Sequence, residues 1–447
     1  MSRFERDRWT PAVRAALLGS VAVVGMGSGV LAQGIVYDTD VVNNGEAITL
    51  EYWTPYGWSF QQDWVDAYTA RHPNVTINIQ NQPWGDYWNK LPVALRNDDG
   101  PDIIGMHNGW AAGLANLLEP WPIDPEALAT DYALAGSNLI DGDVLFMNMS
   151  VVHGGVFYNK AHWAEAGLTE NDIPSTWEEL RTVAERLTQR NADGQMTRAG
   201  FCYQGVFRDL IADLNYQSGA WNFSEDGVSA AMNTPAAQDN LAFMADLYGE
   251  DGVCSPLIAD ANWDGMAQGR ISMGYAYNWV GGWLNGNSDV DWGWFLTPAA
   301  PDAPALGRNN VENSFAVSAA SPDDEKAVAL DFVKFVIASE DLVLQHVLET
   351  GGVPTRRSLL DDPKVQENPV VAAAIAADTL SRTVYPGPIP VAWEAGYDYV
   401  RDIVAEGGDI DFASVLAEGE AIANRRLAGS GFVSIERDYP GAGAFGE

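Results

Sequence analysis

Ala47–Trp53 (AITLEYW), Phe60–Arg71 (FQQDWVDAYTAR), Val75–Gln80 (VTINIQ) and Asp102–Met106 (DIIGM) together decide the fold. The first is a mainly apolar strand candidate, the second has a helical apolar period, and the third alternates as a strand. Tyr87–Arg96 reads as a helix despite Pro92, and the DIIGM run is a short buried strand. Strands alternating with helices at this spacing build βαβ units around a parallel sheet. A second set begins at Val156-Phe157-Tyr158. There Ser175-Thr176-Trp177-Glu178-Glu179 supplies a capping box for a helix running to about Arg190, and Asn191-Ala192-Asp193-Gly194 ends it. Ile271–Tyr277 and Val311–Ser318 read as strands. Ser321-Pro322-Asp323-Asp324 then opens a helix with Val328, Phe332 and Phe335 on one face. No long linker separates the two sets, so an α/β chain of two lobes is expected. The cleft between the carboxyl ends of their sheets is where open α/β folds hold ligands.

The 447 residues carry 25 Lys plus Arg against 61 Asp plus Glu, a formal charge of −36. A field of that sign repels polyanions, and no basic run interrupts it, so nucleic acid is excluded as a partner. The hydrophobic fraction of 47% is that of a globular protein. Arg3, Arg6, Arg8 and Arg14, then AALLGSVAVVGMGSGVLA over residues 15–32, read as a cleavable secretory leader ending at Val30-Leu31-Ala32. A retained anchor is the rival, but four glycines dilute a stretch only just long enough to span. Export places Cys202 and Cys254 in an oxidising compartment. A disulfide is expected over two buried small hydrophobes, and closing a loop of about 50 residues would add roughly 4 kcal/mol. The five His show no metal-ligand spacing, and no P-loop, HExxH or GxSxG is present, so neither metal nor cofactor is expected.

In order along the chain, ITLEYW, a helix, Pro73-Asn74-Val75-Thr76-Ile77, Gly100-Pro101-Asp102-Ile103-Ile104 and Leu114–Pro120 resemble the N-terminal lobe of family 1 extracellular solute-binding proteins of ABC importers. Val156-Phe157-Tyr158-Asn159-Lys160, Pro174–Leu180, Met266–Met273 and Gly351–Arg356 are similar to later segments of the same family. The resemblance implies a two-lobe periplasmic binding protein fold of type II, with discontinuous lobes joined by three hinge crossovers near 148–155, 293–300 and 350–356. On that basis residues 33–150 plus 298–352 form the first lobe and 151–297 plus 353–447 the second. It implies a monomeric, non-enzymatic periplasmic protein that binds a mono- or oligosaccharide and delivers it to ABC permease subunits.

Seventeen Trp outnumber 16 Tyr and 15 Phe. Sugar rings pack their C–H faces on aromatic planes while each hydroxyl needs a polar partner, so platforms should sit beside amides and charged groups at strand ends. The candidates are Tyr56 and Trp58 after the first strand, Trp84 after the second, and His107, Asn108 and Trp110 after the third. Tyr275, Asn278 and Trp279 resemble the family's stacking segment, and Trp393 the aromatic of a C-terminal helix. Trp221 and His153 complete the set; for His107 and His153 a structural hydrogen-bonding role is the alternative. Trp53, Trp121, Trp163 and Trp177 read as core. Asn108-Gly109-Trp110 departs from the acidic and basic pair that maltose-binding members carry there, which argues against maltose itself. The rival functions are an exported glycoside hydrolase, which needs two carboxylates at a set separation, and a binder of polyamines or glycerol phosphate.

Overall fold

Strands in both lobes end where aromatic loops begin. The computed structural model describes residues 34–97, 100–135, 139–248, 251–299, 306–308 and 314–438; the expected leader, residues 1–32, lies outside them. Among the described residues no helix is long and apolar enough to cross a membrane.

The first sheet has four strands in the order Ser314–Val317, Ile103–Met106, Ile48–Thr54, Val75–Asn81. The last three are parallel, and Ser314–Val317 runs antiparallel to Ile103–Met106. Ile48, Leu50, Tyr52 and Thr54 are buried, as period-two alternation requires. Helices Ser59–Arg71 and Trp84–Arg96 follow the first two strands, the second with Pro92 in its interior. Trp64, Phe315 and Phe332 knit the sheet to the Asp323–Ala338 helix, with Trp64 edge-on to Phe315 at 5.4 Å.

The second sheet has five strands in the order Gln189–Arg190, Met196–Cys202, Ile271–Tyr277, Gly154–Asn159, Trp292–Leu296. It is mixed, because Gly154–Asn159 runs antiparallel to both neighbours. A strand fed by a helix ends at the cleft, whereas one that enters directly from the other lobe starts there and must run away from it. Gly154–Asn159 and Ser314–Val317 are those two strands, so each sheet carries a reversed strand at a crossover, and the second sheet has another in Gln189–Arg190, where a parallel sheet was expected. The Trp177–Leu187 helix has its capping box: Thr176 Oγ1 accepts from the Glu179 N–H (3.2 Å) and Glu179 Oε2 accepts from the Thr176 N–H (3.3 Å). It stops three residues short of Arg190. Gln189–Arg190 instead pairs with Met196–Arg198 as a hairpin, turned by Asn191 Oδ1, which accepts from the N–H groups of Asp193 and Gln195.

Ser150–Val151 and Val353–Pro354 form an antiparallel ribbon, and Gly307–Arg308 pairs in parallel with Thr383–Val384. The expected boundary after residue 352 moves: Leu359, Val365 and Val371 pack into the first-lobe core, and the second-lobe core resumes only at Ile389, Trp393 and Tyr397. The short helices Pro363–Glu367 and Pro369–Ala376 account for this, since they bury Val365 and Val371 respectively in the first-lobe core. Cys202 and Cys254 are bonded, with Cα atoms 5.3 Å apart.

Candidate functional site

A cavity of ≈ 630 Å³ lies between the lobes. Its first-lobe wall comes from three loops at strand ends. Thr54 ends a strand and the chain turns through Pro55, so Tyr56 and Trp58 face the cavity, and Tyr56 Oη donates to Met106 O (3.1 Å). Trp84 begins a helix and stands edge-on to Trp110 at 5.5 Å and 85°. Trp88 stacks flat on Trp110 at 4.1 Å and 12°, fixing that indole from behind. His107 caps the Asn108–Leu114 helix, its Nδ1 accepting from the Gly109 N–H (3.0 Å), which assigns the ring proton to Nε2 when neutral. Asn108 is 1% exposed, yet among the described residues neither amide atom has a hydrogen-bond partner. Each unmade buried hydrogen bond costs about 1–3 kcal/mol, so this amide is poised for groups a ligand would bring.

The second-lobe wall combines indoles with a compensated charge cluster. Trp279 lines the cavity with its ring edge-on to Trp263 (5.2 Å, 68°), and its buried Nε1 has no hydrogen-bond partner among the described residues. Trp283 follows one helical turn later on the Trp279–Asn287 helix. Arg208 Nη1 pairs with Glu394 Oε2 at 2.5 Å, and Arg308 Nη1 with Asp209 Oδ1 at 3.1 Å. Tyr277 Oη donates to Asp209 Oδ1 (2.9 Å). The two guanidinium and two carboxylate charges cancel formally. Burial raises the Glu394 carboxyl above its ordinary value, against the pull of Arg208. Behind this wall Asp213 accepts from Tyr275 Oη (2.6 Å) and the Arg308 N–H (2.7 Å), and burial pushes its pKa up to about 7.

The lobes touch at the cavity rim. A Cβ placed on Gly282 of the second lobe would lie 2.4 Å from the Glu349 carbonyl oxygen of the first, and one on Gly109 would lie 3.5 Å from Val391 Cβ. Close backbone approach at Gly282 is therefore a condition of this arrangement. Among the described residues no three His, Cys, Asp or Glu form a group that could hold a metal.

Tyr56, Trp58, Trp84, His107, Asn108 and Trp110, the strand-end candidates, line the cavity, as does Trp279, the candidate from the resemblance; the five other candidates do not. Tyr275 is wholly buried because strand alternation puts it with Tyr277 on one face but two residues short of the cleft end. Asn278 does not line the cavity: its Oδ1 accepts the His153 N–H at the crossover. His153 is buried at that crossover, so close under Gly307 that a Cβ there would lie 2.6 Å from its Cε1, and burial pushes its pKa down to about 4. Trp393 packs in the second-lobe core between Phe223 and Tyr397, leaving its neighbours Val391 and Glu394 to face the cavity. Trp221 lies away from the cavity, with the Arg437 guanidinium 4.3 Å above its ring.

Sequence reasoning missed Arg208, Asp209, Trp263, Tyr277, Trp283, Arg308 and Glu394. Arg208 and Asp209 follow the end of strand Met196–Cys202, and Trp283 is four residues past Trp279, so strand-end and helical spacing would have found these. Arg308 and Glu394 arrive through the crossovers, which carry no local signal.

A profile of the family described as bacterial extracellular solute-binding protein matches residues 51–341. The lactose-binding protein of Rhizobium radiobacter is 22% identical over 329 residues, covering 68% of this chain and 74% of that protein. The diacetylchitobiose binding protein DasA of Streptomyces coelicolor is 25% identical over 451 residues, covering 93% of this chain and 99% of its own. Among solved structures, an ABC substrate-binding protein from Listeria monocytogenes in complex with cycloalternan matches with a TM-score of 0.72 at 20% identity, over 85% of this chain and 99% of that one.

Proposed function

The chain belongs to the bacterial extracellular solute-binding protein family, and from that premise we propose that its solute is a neutral carbohydrate, bound between the lobes and handed unchanged to an ABC permease. The observation that carries this reading is the pairing, in one cavity, of indole platforms with a charge-compensated polar wall. A pyranose offers apolar C–H faces to Trp84, Trp110 and Trp279, and its hydroxyls both donate and accept, which suits the two unpartnered atoms of Asn108 and the Trp279 N–H. The printed ligands of the relatives, lactose, diacetylchitobiose and cycloalternan, are of this class. A polyamine needs uncompensated carboxylates, and a glycerol phosphate uncompensated cations. Here Glu394 is matched by Arg208 and Asp209 by Arg308, which favours neither.

In this reading the protein is exported behind a leader ending at residue 32 and works as a monomer. Closure brings Gly282 onto Glu349 and buries the sugar, and the ligand shifts the lobes only by its preference for the closed state. A thermal-shift screen of mono- and oligosaccharides, glycerol phosphates and polyamines tests the reading. A ligand at a hundred times its Kd adds about 2.7 kcal/mol to the folded state. A rise in Tm confined to sugars supports the reading, and a rise confined to polyamines or phosphates refutes it. Hydrolysis of the bound oligosaccharide would replace it with a glycosidase.

A further inference from the structure

A second cavity, of ≈ 520 Å³, adjoins the first and shares Gly57, Trp58 and Trp283 with it. Beyond those residues it is walled by Asn285, Gly286 and Asn287 of the second lobe and by Leu348 and Glu349 of the first. Both volumes fall within the roughly 300–1,000 Å³ of ligand sites. Two half-buried indoles, Trp58 of the first lobe and Trp283 of the second, line both cavities.

The outer walls are held in place. Trp58 stacks on Phe60 at 17°. Asn285 Oδ1 accepts from Trp292 Nε1 (2.9 Å), and Asn287 Nδ2 donates to Trp283 O (2.8 Å), so each amide is oriented by one bond and keeps its other half for a ligand. Glu349 caps the Ser59–Arg71 helix, accepting from the N–H groups of Ser59 (3.1 Å) and Phe60 (2.9 Å), which anchors the first-lobe side. The Gly282–Glu349 approach joins the two sides, so this outer cavity, like the inner one, needs both lobes together.

Resting on the carbohydrate reading above, we infer that the outer cavity is a subsite for further units of a linear oligosaccharide, which leaves the inner cavity between Trp58 and Trp283. One indole on each side suits the two faces of a sugar ring, and the exposed amides suit its hydroxyls. Because the subsite spans the lobes, a longer chain gains contacts only in the closed form and so favours closure beyond what a disaccharide achieves. The protein is then selective for oligosaccharides over their disaccharide counterparts. One further ring held in the subsite is expected to give a gain near tenfold in affinity, about 1.4 kcal/mol.

Gly286 separates the two cavities experimentally. It lines only the outer one, and a Cβ there meets nothing within 4 Å, so a side chain is accommodated. Titration calorimetry with malto-, manno- and chito-oligosaccharides of two to five units is run on the wild type, Gly286→Trp and Gly286→Ala. In the series that binds, the wild type should gain about tenfold from the disaccharide to the tetra- or pentasaccharide. Gly286→Trp should abolish that gain and leave disaccharide affinity unchanged, which also reports that it is folded, and Gly286→Ala should keep the gain. Equal affinities for all lengths in the wild type, or a gain that survives in Gly286→Trp, overturns the subsite while leaving the carbohydrate reading intact. No binding by any of these series overturns the subsite, and the thermal-shift screen with its wider sugar panel decides the carbohydrate reading separately.

Discussion

Reduction of the Cys202–Cys254 bond tests how the cleft wall is supported. The bond spans a sequence separation of 52 residues. Opening a loop of that length returns chain entropy to the unfolded state, which corresponds to about 4 kcal/mol on the chain-entropy relation. At roughly 2–4 °C per kcal/mol for a domain of this size, Tm should fall by about 10 °C. The effect should reach the ligand as well. Cys202 ends the strand that leads into Gly205, Val206, Arg208 and Asp209 of the cavity, and Gln204 between them donates to Ser255 O (2.7 Å) beside Cys254. Reduced protein should therefore bind its sugar more weakly. The assay is calorimetric melting with and without a phosphine reductant, on the wild type and on a Cys202→Ala/Cys254→Ala variant. The variant should melt near the reduced wild type and be indifferent to reductant. A reductant effect of under 2 °C on the wild type, or an equal effect on the variant, refutes the reasoning.

Trp279→Ala should weaken sugar binding about thirtyfold, the loss of an anchor worth about 2 kcal/mol, with little change in unliganded Tm; calorimetric titration checks it. Gly282→Val should hold the lobes apart at Glu349, so ligand-induced compaction in small-angle scattering is lost while each lobe stays folded. The carboxyls of Asp213 and Glu436 are both pushed up to about 7 by burial. The folded state keeps their protons after the unfolded chain has lost its own near pH 4, so their stabilisation is complete below pH 4 and lost as pH rises through 7. The wild type should accordingly lose stability relative to Asp213→Asn between pH 5 and 7.5 in denaturant titrations.

Much of this architecture was legible because it is local. Leu50 and Tyr52 alternate with their neighbours, Thr176 and Glu179 close a capping box, and Trp84 and Trp110 stand just past strand ends, so short-range rules placed all of them. Trp393 and Trp221 were misread because an indole beside a loop looks the same whether it turns into the core or into the cleft; Phe223 and Tyr397, far apart in sequence, decide the first case. The charged wall was illegible for a related reason. Arg308 meets Asp209 across 99 residues and Arg208 meets Glu394 across 186, pairings made only when the crossovers converge. The reversed strand Gly154–Asn159 likewise follows from which lobe the chain comes from, a property no window of sequence contains.

The most direct measurement is a crystal structure with the oligosaccharide that raises Tm most. A pyranose face on Trp279, hydroxyls on Asn108 and closed lobes with Gly282 against Glu349 are expected. A sugar bound outside the inter-lobe cavity, or one within it that touches neither residue, would contradict a cleft built for neutral carbohydrate.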